Sequence, residues 1–421
     1  MRGSNMSSRR VFVLLGVFSA LLIVWAGTAV AQTVLVGTGD PTLDIPAVQT
    51  AVDGGGEVIL QGHFSFDAAP TIVPDLPGFP MATVRVSTGV TITGVEGEDD
   101  EMTTIEGGQV PFQVEAHGSG VTIRRLRFVR PTAAAIDVTA VSGLVIASCK
   151  IEGVQPLNNF GTSISIGTTF NLPNPSQPGQ PERISGTVRI VGNDIDAVGA
   201  TALDAILGIM FFSVGVPGAE VDAYVSGNRV RNTTEPAINV RRLVGRAFIE
   251  RNELITADFA APPPRPEVIR VVNTGSFVIA RNSIDCRWPQ AFGIGVFSQF
   301  AAWPMEHAIV AGNDVRMSPP NGTIFGPNSA AISVRGFANG NLVFGNTLRG
   351  SAGNAISVTP FPLPPAATGV PSGNTLLLNR LDDFVASGAD IFIGAGVQDT
   401  LVIGEGSIED HGVGTVVVPL R

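Results

Sequence analysis

Apolar residues two positions apart, followed by a tight polar bend, form a unit that recurs along the chain. The run from Val188 to Ile195 shows the unit most clearly, because Gly192-Asn193 interrupts an alternation of apolar and polar residues. The alternation predicts strands with one buried face, and Asn suits a bend because it tolerates left-handed backbone angles and bonds nearby main chain. Further copies place Asn at 228, 252, 282, 313, 346 and, less clearly, 379, while Cys149 takes the Asn position in an early copy.

The spacing of these bends predicts a repeat architecture. Aligned from Val95 to Gly406, eleven bend positions span 311 residues, which is about 31 residues per unit and lies in the range of solenoids. In a solenoid, one Asn per coil stacks on the next, so the side-chain amides are expected to hydrogen-bond along the axis. The sequence therefore predicts a structural Asn ladder inside a stacked all-β fold.

A short helix is predicted ahead of the repeats. Asp44 suits an N-cap, and Ile45, Val48 and Val52 then lie on one helical face, up to the Gly-rich stop at 54–56. A strand is expected from Glu57. Such a helix would cover the open end of a solenoid, whose first coil otherwise exposes apolar side chains and a strand edge.

The helix, Gly-rich stop and first strand between Asp44 and Phe66, with the Gly-Asn-x-Ile/Val/Leu repeats, resemble the right-handed parallel β-helix (pectin lyase-like) superfamily. The resemblance covers residues 40–415. It implies an all-β, single-stranded parallel β-helix with a cap at 40–66 and coils over about 67–415. That superfamily includes pectate lyases, polygalacturonases, tailspikes and adhesins, so the repeats indicate fold rather than activity. The polygalacturonase motif set is missing, and Asp382-Asp383 stands without companion motifs.

The N-terminus has the pattern of a secretory signal peptide over residues 1–31. A basic start precedes the apolar run from Val11 to Gly27, and Ala29-Val30-Ala31 provides small residues for cleavage. The protein is therefore predicted to be secreted, to the exterior or a periplasm, as one domain over 32–421. An uncleaved membrane anchor is the alternative, and it would be the only membrane attachment.

Charge and cysteine content narrow the functional classes. Without the signal peptide, 23 basic and 36 acidic residues leave a net charge of −13, which argues against a nucleic-acid partner. Cys149 and Cys286 fall about four coils apart, roughly 19 Å at one strand spacing per coil, which is beyond the reach of a disulfide. Two buried free thiols are therefore expected. No cysteine or histidine stands at zinc-ligand spacing.

Another strand precedes the bend strand in each coil, and the resemblance places a substrate cleft on the sheet these strands form. Alternation makes the residue between each Ile/Val pair face outward. The resulting column contains Asp137, Ser165, a residue near Gly208, Asn239, Arg270, Gly295, Ser333 and Ser357, with Arg241 and Arg335 in a second column. Hydrolysis of a glycoside needs two carboxylates, and this interpretation offers Asp137 alone.

Arg241, Arg270 and Arg335, with Asn239, make this face positive within an acidic protein. A guanidinium group matches a carboxylate, so these residues are candidates for binding an acidic polysaccharide. Arginine on an exposed strand also protects a sheet against aggregation, and that structural role is the alternative.

Aromatic residues around the strand 293–297 give a second set of candidates. Trp288 and Trp303 bracket this strand, with Phe300 close to Trp303 in sequence. Flat aromatic surfaces hold sugar rings, so all three are carbohydrate-binding candidates, although buried Trp also fastens long loops to a core. Glu306 and His307 follow in the same loop. With Asp137, Arg241 and Arg270 they complete the catalytic candidates.

Asp194, Asp196 and Asp204 are the candidate metal ligands, and calcium is the ion that such carboxylates would suit. The preferred interpretation is a structural one, because the column through Arg127, Lys150, Asp194 and Arg229 mixes charges as stacked strands prefer. No cofactor is predicted.

These observations favour a non-catalytic, secreted β-helix protein that binds glycan or serves as a surface scaffold. The alternative is a polysaccharide lyase or glycoside hydrolase that acts on an acidic polysaccharide in the cleft over the first sheet. The sequence identifies neither the glycan nor the oligomeric state.

Overall fold

The structure is a computed structural model in which each coil contributes up to three parallel strands to three long sheets. It describes residues 32–67, 82–95, 97, 101–157, 159–167, 181–199, 201, 204–258, 265–299, 305–319, 329–362 and 368–420. The predicted signal peptide lies outside these residues. Strands of successive coils pair in parallel, and the chain forms the right-handed parallel β-helix that the repeats predict.

The first sheet carries the candidate cleft, and one long strand, Ala134–Ala147, continues from it into the second sheet. Its strands are Ala82–Val86, Val110–Ala116, the first part of Ala134–Ala147, Phe160–Ile166, Ala205–Val214, Ile238–Leu243, Glu267–Val272, Phe292–Ser298, Ala330–Gly336, Asn354–Thr359, Ile391–Ile393 and Ile408–Asp410.

The second sheet precedes the Asn bend and the third sheet follows it. The second-sheet strands are Gln32–Val36, Gly56–Gln61, Val90–Gly94, Val121–Arg124, the end of Ala134–Ala147, Ile184–Val191, Val221–Ser226, Gly245–Glu250, Ser276–Ala280, Ile309–Ala311, Leu342–Phe344, Thr375–Leu377, Leu401–Gly404 and Val416–Pro419. The third-sheet strands are His63–Ser65, Thr104–Glu106, Arg127–Val129, Lys150–Glu152, Asp194–Asp196, Arg229–Thr233, Glu253–Thr256, Ser283–Cys286, Asp314–Met317, Thr347–Ala352 and Arg380–Ala386.

Short elements occupy the corners between the sheets. A parallel pair joins Met305–Glu306 to Ala338–Asn339, an antiparallel pair joins Phe361–Pro362 to Thr368–Gly369, and a 3-10 turn covers Pro181–Arg183.

The predicted Asn ladder is confirmed. From Asn193 to Asn346, each side-chain amide donates to the carboxamide oxygen of the next ladder Asn at 2.9 Å, and the last acceptor is Asn379. The same oxygen also accepts the main-chain N–H of the Asn below it, for example Asn252 N to Asn282 Oδ1 at 3.0 Å. A second ladder, which the sequence analysis missed, joins Asn341 to Asn374.

The left-handed residue of the bend was expected at the Asn itself, and this position was wrong by one residue. The left-handed conformation belongs to the residue before each ladder Asn, with φ of 65° at Gly192 and 55° at Arg251. This residue turns the chain, so the Asn that follows can direct its amide along the axis. Glycine is common at this position because it adopts a positive φ without steric cost.

The cap helix α1 covers Pro41–Asp53, with Asp40 rather than Asp44 as its N-cap. Proline at the first helical position fixes that start, since its missing N–H would have no intrahelical partner. Asp44 is instead buried in the first turn, where its carboxylate accepts the N–H groups of Thr38 and Ser65 at 2.8 and 3.0 Å. Val48 and Val52 are buried in the core, and the helix ends at the predicted Gly54.

Inward residues of all three sheets form a continuous apolar core. Cys149 and Cys286 are buried and free, as predicted, and burial raises the pKa of each thiol to about 12. Among the described residues, no helix has the length and apolar composition needed to cross a bilayer.

Candidate functional site

The outward column predicted on the first sheet is confirmed by the strand register. Parallel pairing aligns Asp137, Ser165, Met210, Asn239, Arg270, Gly295, Ser333 and Ser357, so Met210 fills the uncertain position near Gly208. The second column aligns Phe212, Arg241, Val272, Phe297, Arg335 and Thr359. The arginines of both columns therefore share one face.

Glu267 joins these arginines and was missed by the sequence analysis. Its carboxylate is buried between Arg335, whose Nη2 donates to Oε1, and Arg270, whose Nε lies 3.4 Å from Oε2. Gly295 makes room for it, since a Cβ at that position would come within 2.4 Å of Glu267 Cγ.

A second carboxyl group, Glu235, lies on the same side and is 1% exposed. Its Oε2 is 3.4 Å from Arg265 Nη1. Burial raises the pKa of Glu235 to about 7, against the opposing charges of Arg265 and Arg270. This carboxyl group therefore titrates near neutral pH. We call Glu235, Arg241, Arg265, Glu267, Arg270 and Arg335 the arginine cluster.

Aromatic rings hold the guanidinium groups of the cluster in place. Arg335 lies over Phe292 and Phe297, with its guanidinium carbon 4.4 and 4.7 Å from the ring centroids, and Arg270 lies 5.0 Å over Phe297. Phe361 stacks on Phe297 at 5.5 Å. Such cation–π contacts fix the arginines where few water molecules reach them.

Several polar atoms of the cluster are buried without a hydrogen-bond partner. Arg270 Nε and Nη1, Arg241 Nε and Arg335 Nε lack acceptors, and the acceptors Glu267 Oε2 and Asn239 Oδ1 lack donors. The 3.4 Å contact between Arg270 Nε and Glu267 Oε2 is an ion pair without hydrogen-bond alignment. Unpaired buried polar atoms are costly, so this face suits a ligand that carries both an anion and hydroxyl groups.

Four guanidinium groups face two carboxyl groups in the cluster, so positive charge is in excess. Burial, together with the neighbouring Arg270, Arg242 and Arg265, lowers the pKa of Arg241 to about 10. Burial also lowers the pKa of Arg270, although Glu267 opposes the shift. Both shifts reflect the cost of holding cations in a poorly solvated place, which an anionic ligand would relieve.

Asp137 lies on the same sheet but apart from the cluster. Four strand spacings separate it from Arg270, roughly 19 Å. It is buried, and Gln113 Nε2 lies 3.5 Å from its Oδ2. The structure does not bring Asp137 together with the other catalytic candidates.

Glu306 and His307 lie at the corner between the first and second sheets. Both are exposed, and Glu306 belongs to the short strand that pairs with Ala338–Asn339. His307 has a left-handed backbone with φ of 60°. These two residues therefore stand on a different element from Arg241, Arg270 and Arg335.

Trp288 is not a sugar-stacking surface. It is fully buried within the core, which leaves neither ring face open to a ligand. The expectation of a carbohydrate contact at Trp288 is wrong, and the alternative, an anchor for a long loop, fits its position. Trp303 and Phe300 lie outside the described residues.

The three candidate metal ligands have other partners. Arg231 Nη2 is 3.0 Å from Asp194 Oδ1 and 3.5 Å from Asp196 Oδ2, while Asp204 accepts the N–H and hydroxyl of Thr201 at 2.8 Å. The mixed-charge interpretation describes Asp194 and Asp196 well. Within the described residues, no three His, Cys, Asp or Glu side chains converge as a metal site.

Glu267 was missed because the strand departs from simple alternation at its start. Val268 and Ile269 are both fully buried in the core, so Glu267 faces outward instead of inward. The register of this strand pair stays constant, with Glu267 opposite Phe292 and Ile269 opposite Ile294. Glu235 was likewise not connected with the arginines, because it lies outside the strand that carries Asn239 and Arg241.

Comparison with known proteins supports the fold and leaves the activity open. No family model matches the chain, and no curated protein matches it. Among solved structures it is similar to PfbA, a surface adhesin of Streptococcus pneumoniae, at 12% identity over 85% of this chain and 93% of that chain, with a TM-score of 0.50.

Two further structures are similar at lower TM-scores. A tailspike protein mutant of E. coli bacteriophage HK620, in complex with pentasaccharide, is 11% identical over 88% of this chain and 69% of that chain, with a TM-score of 0.47. A PL6 alginate lyase in complex with trisaccharide is 11% identical over 94% and 86%, with a TM-score of 0.45. The chain has the right-handed parallel β-helix fold.

Proposed function

We propose that this protein is an exported β-helix protein that binds an acidic polysaccharide on the outer face of its first sheet. The observation that carries the proposal is Arg270, whose buried guanidinium keeps Nε and Nη1 without acceptors inside the arginine cluster. Export rests on the predicted signal peptide at 1–31. No cofactor is invoked.

The cluster matches the chemistry of a uronate-type sugar. A guanidinium group binds a carboxylate with charge-assisted hydrogen bonds, while Asn239 Oδ1 and Glu267 Oε2 are acceptors for sugar hydroxyls. The aromatic rings beneath Arg270 and Arg335 hold these donors in fixed positions, which lowers the entropy lost on binding. An otherwise acidic protein thus presents one site suited to an anion.

Calorimetry with the purified protein tests the proposal. The ligands are polygalacturonate, its methyl ester and dextran, each with and without calcium. Polygalacturonate is expected to bind, and Arg270→Gln should weaken it by about ten- to hundredfold, the worth of hydrogen bonds to a charged group. Arg246→Gln is the matched control, because Arg246 is an exposed arginine that pairs with Asp222 on the second sheet. Equal binding of ester and acid, or an unchanged Arg270→Gln variant, would contradict the proposal.

A second candidate function is cleavage of the bound polymer, favoured by Glu235 and Glu267. Glycoside hydrolysis uses a protonated carboxyl group to donate to the leaving oxygen and a second, ionised carboxylate. The pKa of Glu235 is raised to about 7, and the carboxylate of Glu267 lies between Arg270 and Arg335. An acidic polymer could alternatively undergo β-elimination, with arginine neutralising its carboxylate.

Product analysis separates binding from cleavage. Hydrolysis would release reducing ends without ultraviolet absorbance, whereas a lyase would produce an absorbing unsaturated sugar. Glu235→Gln should abolish hydrolysis and keep polymer binding, because it removes the proton donor and leaves the arginines in place. Binding without either product would leave the non-catalytic function.

A further inference from the structure

The outer face of the second sheet changes character along the solenoid. In its N-terminal coils the strand register aligns the polar residues Glu57, Thr91, Thr122 and, after Val145, Arg189. The same column then becomes apolar. After Tyr224 it continues through Phe248, Val278, Ile309, Leu342, Leu401 and Val416, interrupted by Thr375.

A second outward column, two residues further along each strand, is mixed in the earlier coils and apolar in the later ones. Up to Glu250 it contains both polar and apolar residues, and from the next strand it contains Ala280, Ala311, Phe344, Leu377, Ile403 and Val418. We call the residues from Phe248 to Val416 in the first column and from Ala280 to Val418 in the second the outer apolar face. Both columns become apolar within one coil of each other, so the change belongs to the surface and not to one strand.

The outer apolar face reaches solvent. Phe344 is 38% exposed and Val416 56% exposed, while Val278, Ile309, Leu342 and Leu401 are half-buried by their strand neighbours. Large apolar patches are uncommon on soluble monomers and mark contact surfaces. The polar start of the same sheet indicates that the fold itself does not require apolar residues here.

The size of the face suits a protein partner. Seven strands at about 4.8 Å spacing and two columns about 7 Å apart give roughly 500 Å² of apolar surface. A stable interface buries about 800 Å² on each partner, with an apolar core of about 65%, which is again roughly 500 Å². The face therefore supplies the apolar core of one standard interface, and its polar borders supply the rim.

A second copy of this chain is the occupant that the geometry favours. The face repeats at the strand spacing, so a surface with the same repeat matches it strand by strand. In an isologous contact the same face meets itself across a two-fold axis, and the matching repeat is then guaranteed. The first sheet lies on another side of the solenoid, so the arginine cluster stays accessible in such a pair.

We propose that the outer apolar face is the interface of a homodimer whose two-fold axis passes near Leu342, its middle strand. This proposal does not depend on the glycan-binding proposal, because it concerns a different sheet.

Sedimentation and light scattering of the purified protein test the proposal. The wild-type protein is expected to have twice the mass of one chain, and Leu342→Arg should reduce it to one chain by placing a charge in the apolar contact. Val145→Arg is the matched control, since Val145 occupies the same outward column in the polar coils and should leave the dimer intact. Circular dichroism and thermal unfolding check that both variants fold.

A monomeric wild-type protein would overturn the proposal, and so would an oligomer that survives Leu342→Arg or is lost with Val145→Arg. Cysteine cross-linking gives a readout that does not disrupt the contact. Leu342→Cys should form a disulfide-linked dimer under mild oxidation and Val145→Cys should not, because only position 342 lies near the proposed two-fold axis. The native Cys149 and Cys286 are buried and should not take part in the cross-link. Equal cross-linking of both variants, or of neither, would also overturn it.

Discussion

At the scale of single residues, the candidate site depends on pairs of oppositely charged side chains. Glu267 and Arg270 are both buried, and each would be costly without the other. Glu235 has a weaker partner in Arg265, whose side chain is 35% exposed, so desolvation dominates its pKa. The two carboxyl groups therefore have different surroundings, although they lie on the same face.

The titration of Glu235 predicts a pH-dependent stability. Its pKa is about 7 in the folded protein and near 4.5 when unperturbed, so the folded state binds the proton more tightly. Stability from this group is therefore fully present below pH about 4.5 and is lost as the pH rises toward 7, by ~3 kcal/mol in total. Urea unfolding at pH 5 and pH 8 measures this loss of stability. Glu235→Gln should reduce the difference between the two pH values, and an unchanged difference would assign it to other groups.

Gly295 gives a second prediction at this scale. A Cβ there would approach Glu267 Cγ to 2.4 Å, so Gly295→Ala should displace Glu267 from its arginines and cost about 1–3 kcal/mol, as overpacking does. Denaturant unfolding measures the loss. Gly275→Ala is the control, because nothing lies within 4 Å of its added Cβ, and it should change stability by less than about 0.5 kcal/mol.

At the scale of the elements, the Asn ladder links one coil to the next. Asn282 Oδ1 accepts from the main-chain and side-chain nitrogens of Asn252, and its own amide donates to Ile249 O and Asn313 Oδ1. These groups are buried, and the ladder supplies hydrogen-bond partners for them at the bend. The ladder therefore satisfies backbone atoms that would otherwise make every coil boundary unfavourable.

Substitution of one ladder Asn should lower the free energy of unfolding more in the middle of the ladder than at its end. Asn282→Ala leaves the main-chain N–H of Asn252 and one of its two side-chain N–H groups without an acceptor, while the other still donates to Val225 O; two unsatisfied buried N–H groups cost about 2–4 kcal/mol. Asn379→Ala is the matched comparison, since Asn379 is the last rung and partly exposed, and its loss should be smaller. Equal losses would indicate that the ladder adds no more than local packing.

The repeat and its ladder were predictable from the sequence because strand periodicity and Asn spacing are local signals. The outward positions of Asn239, Arg270 and Arg335 followed from the same alternation. Glu267 did not, because the two residues that follow it, Val268 and Ile269, both face inward and interrupt the alternation. The burial of Trp288 was equally hidden, since composition does not distinguish a loop residue on the surface from one that folds into the core.

At the scale of the whole molecule, the two proposals place different functions on different sheets. The first sheet presents a charged site, and the second presents an apolar face in its C-terminal coils. A dimer formed through the second sheet would contain two arginine clusters. Each cluster could then bind its own segment of one long polymer, provided that the chain spans the distance between them.

Two linked sites convert the second binding event into an intramolecular one, and apparent affinity rises without any new contact. The monomeric Leu342→Arg variant is therefore expected to bind long polygalacturonate about 10²-fold more weakly than the dimer. It should bind a short oligogalacturonide equally well, because one cluster suffices for a short ligand. Surface plasmon resonance with immobilised protein variants and both ligands measures the two ratios. Equal weakening for the short ligand would instead mean that the substitution disturbs the arginine cluster itself, and equal affinity for the long polymer would mean that the two sites act independently.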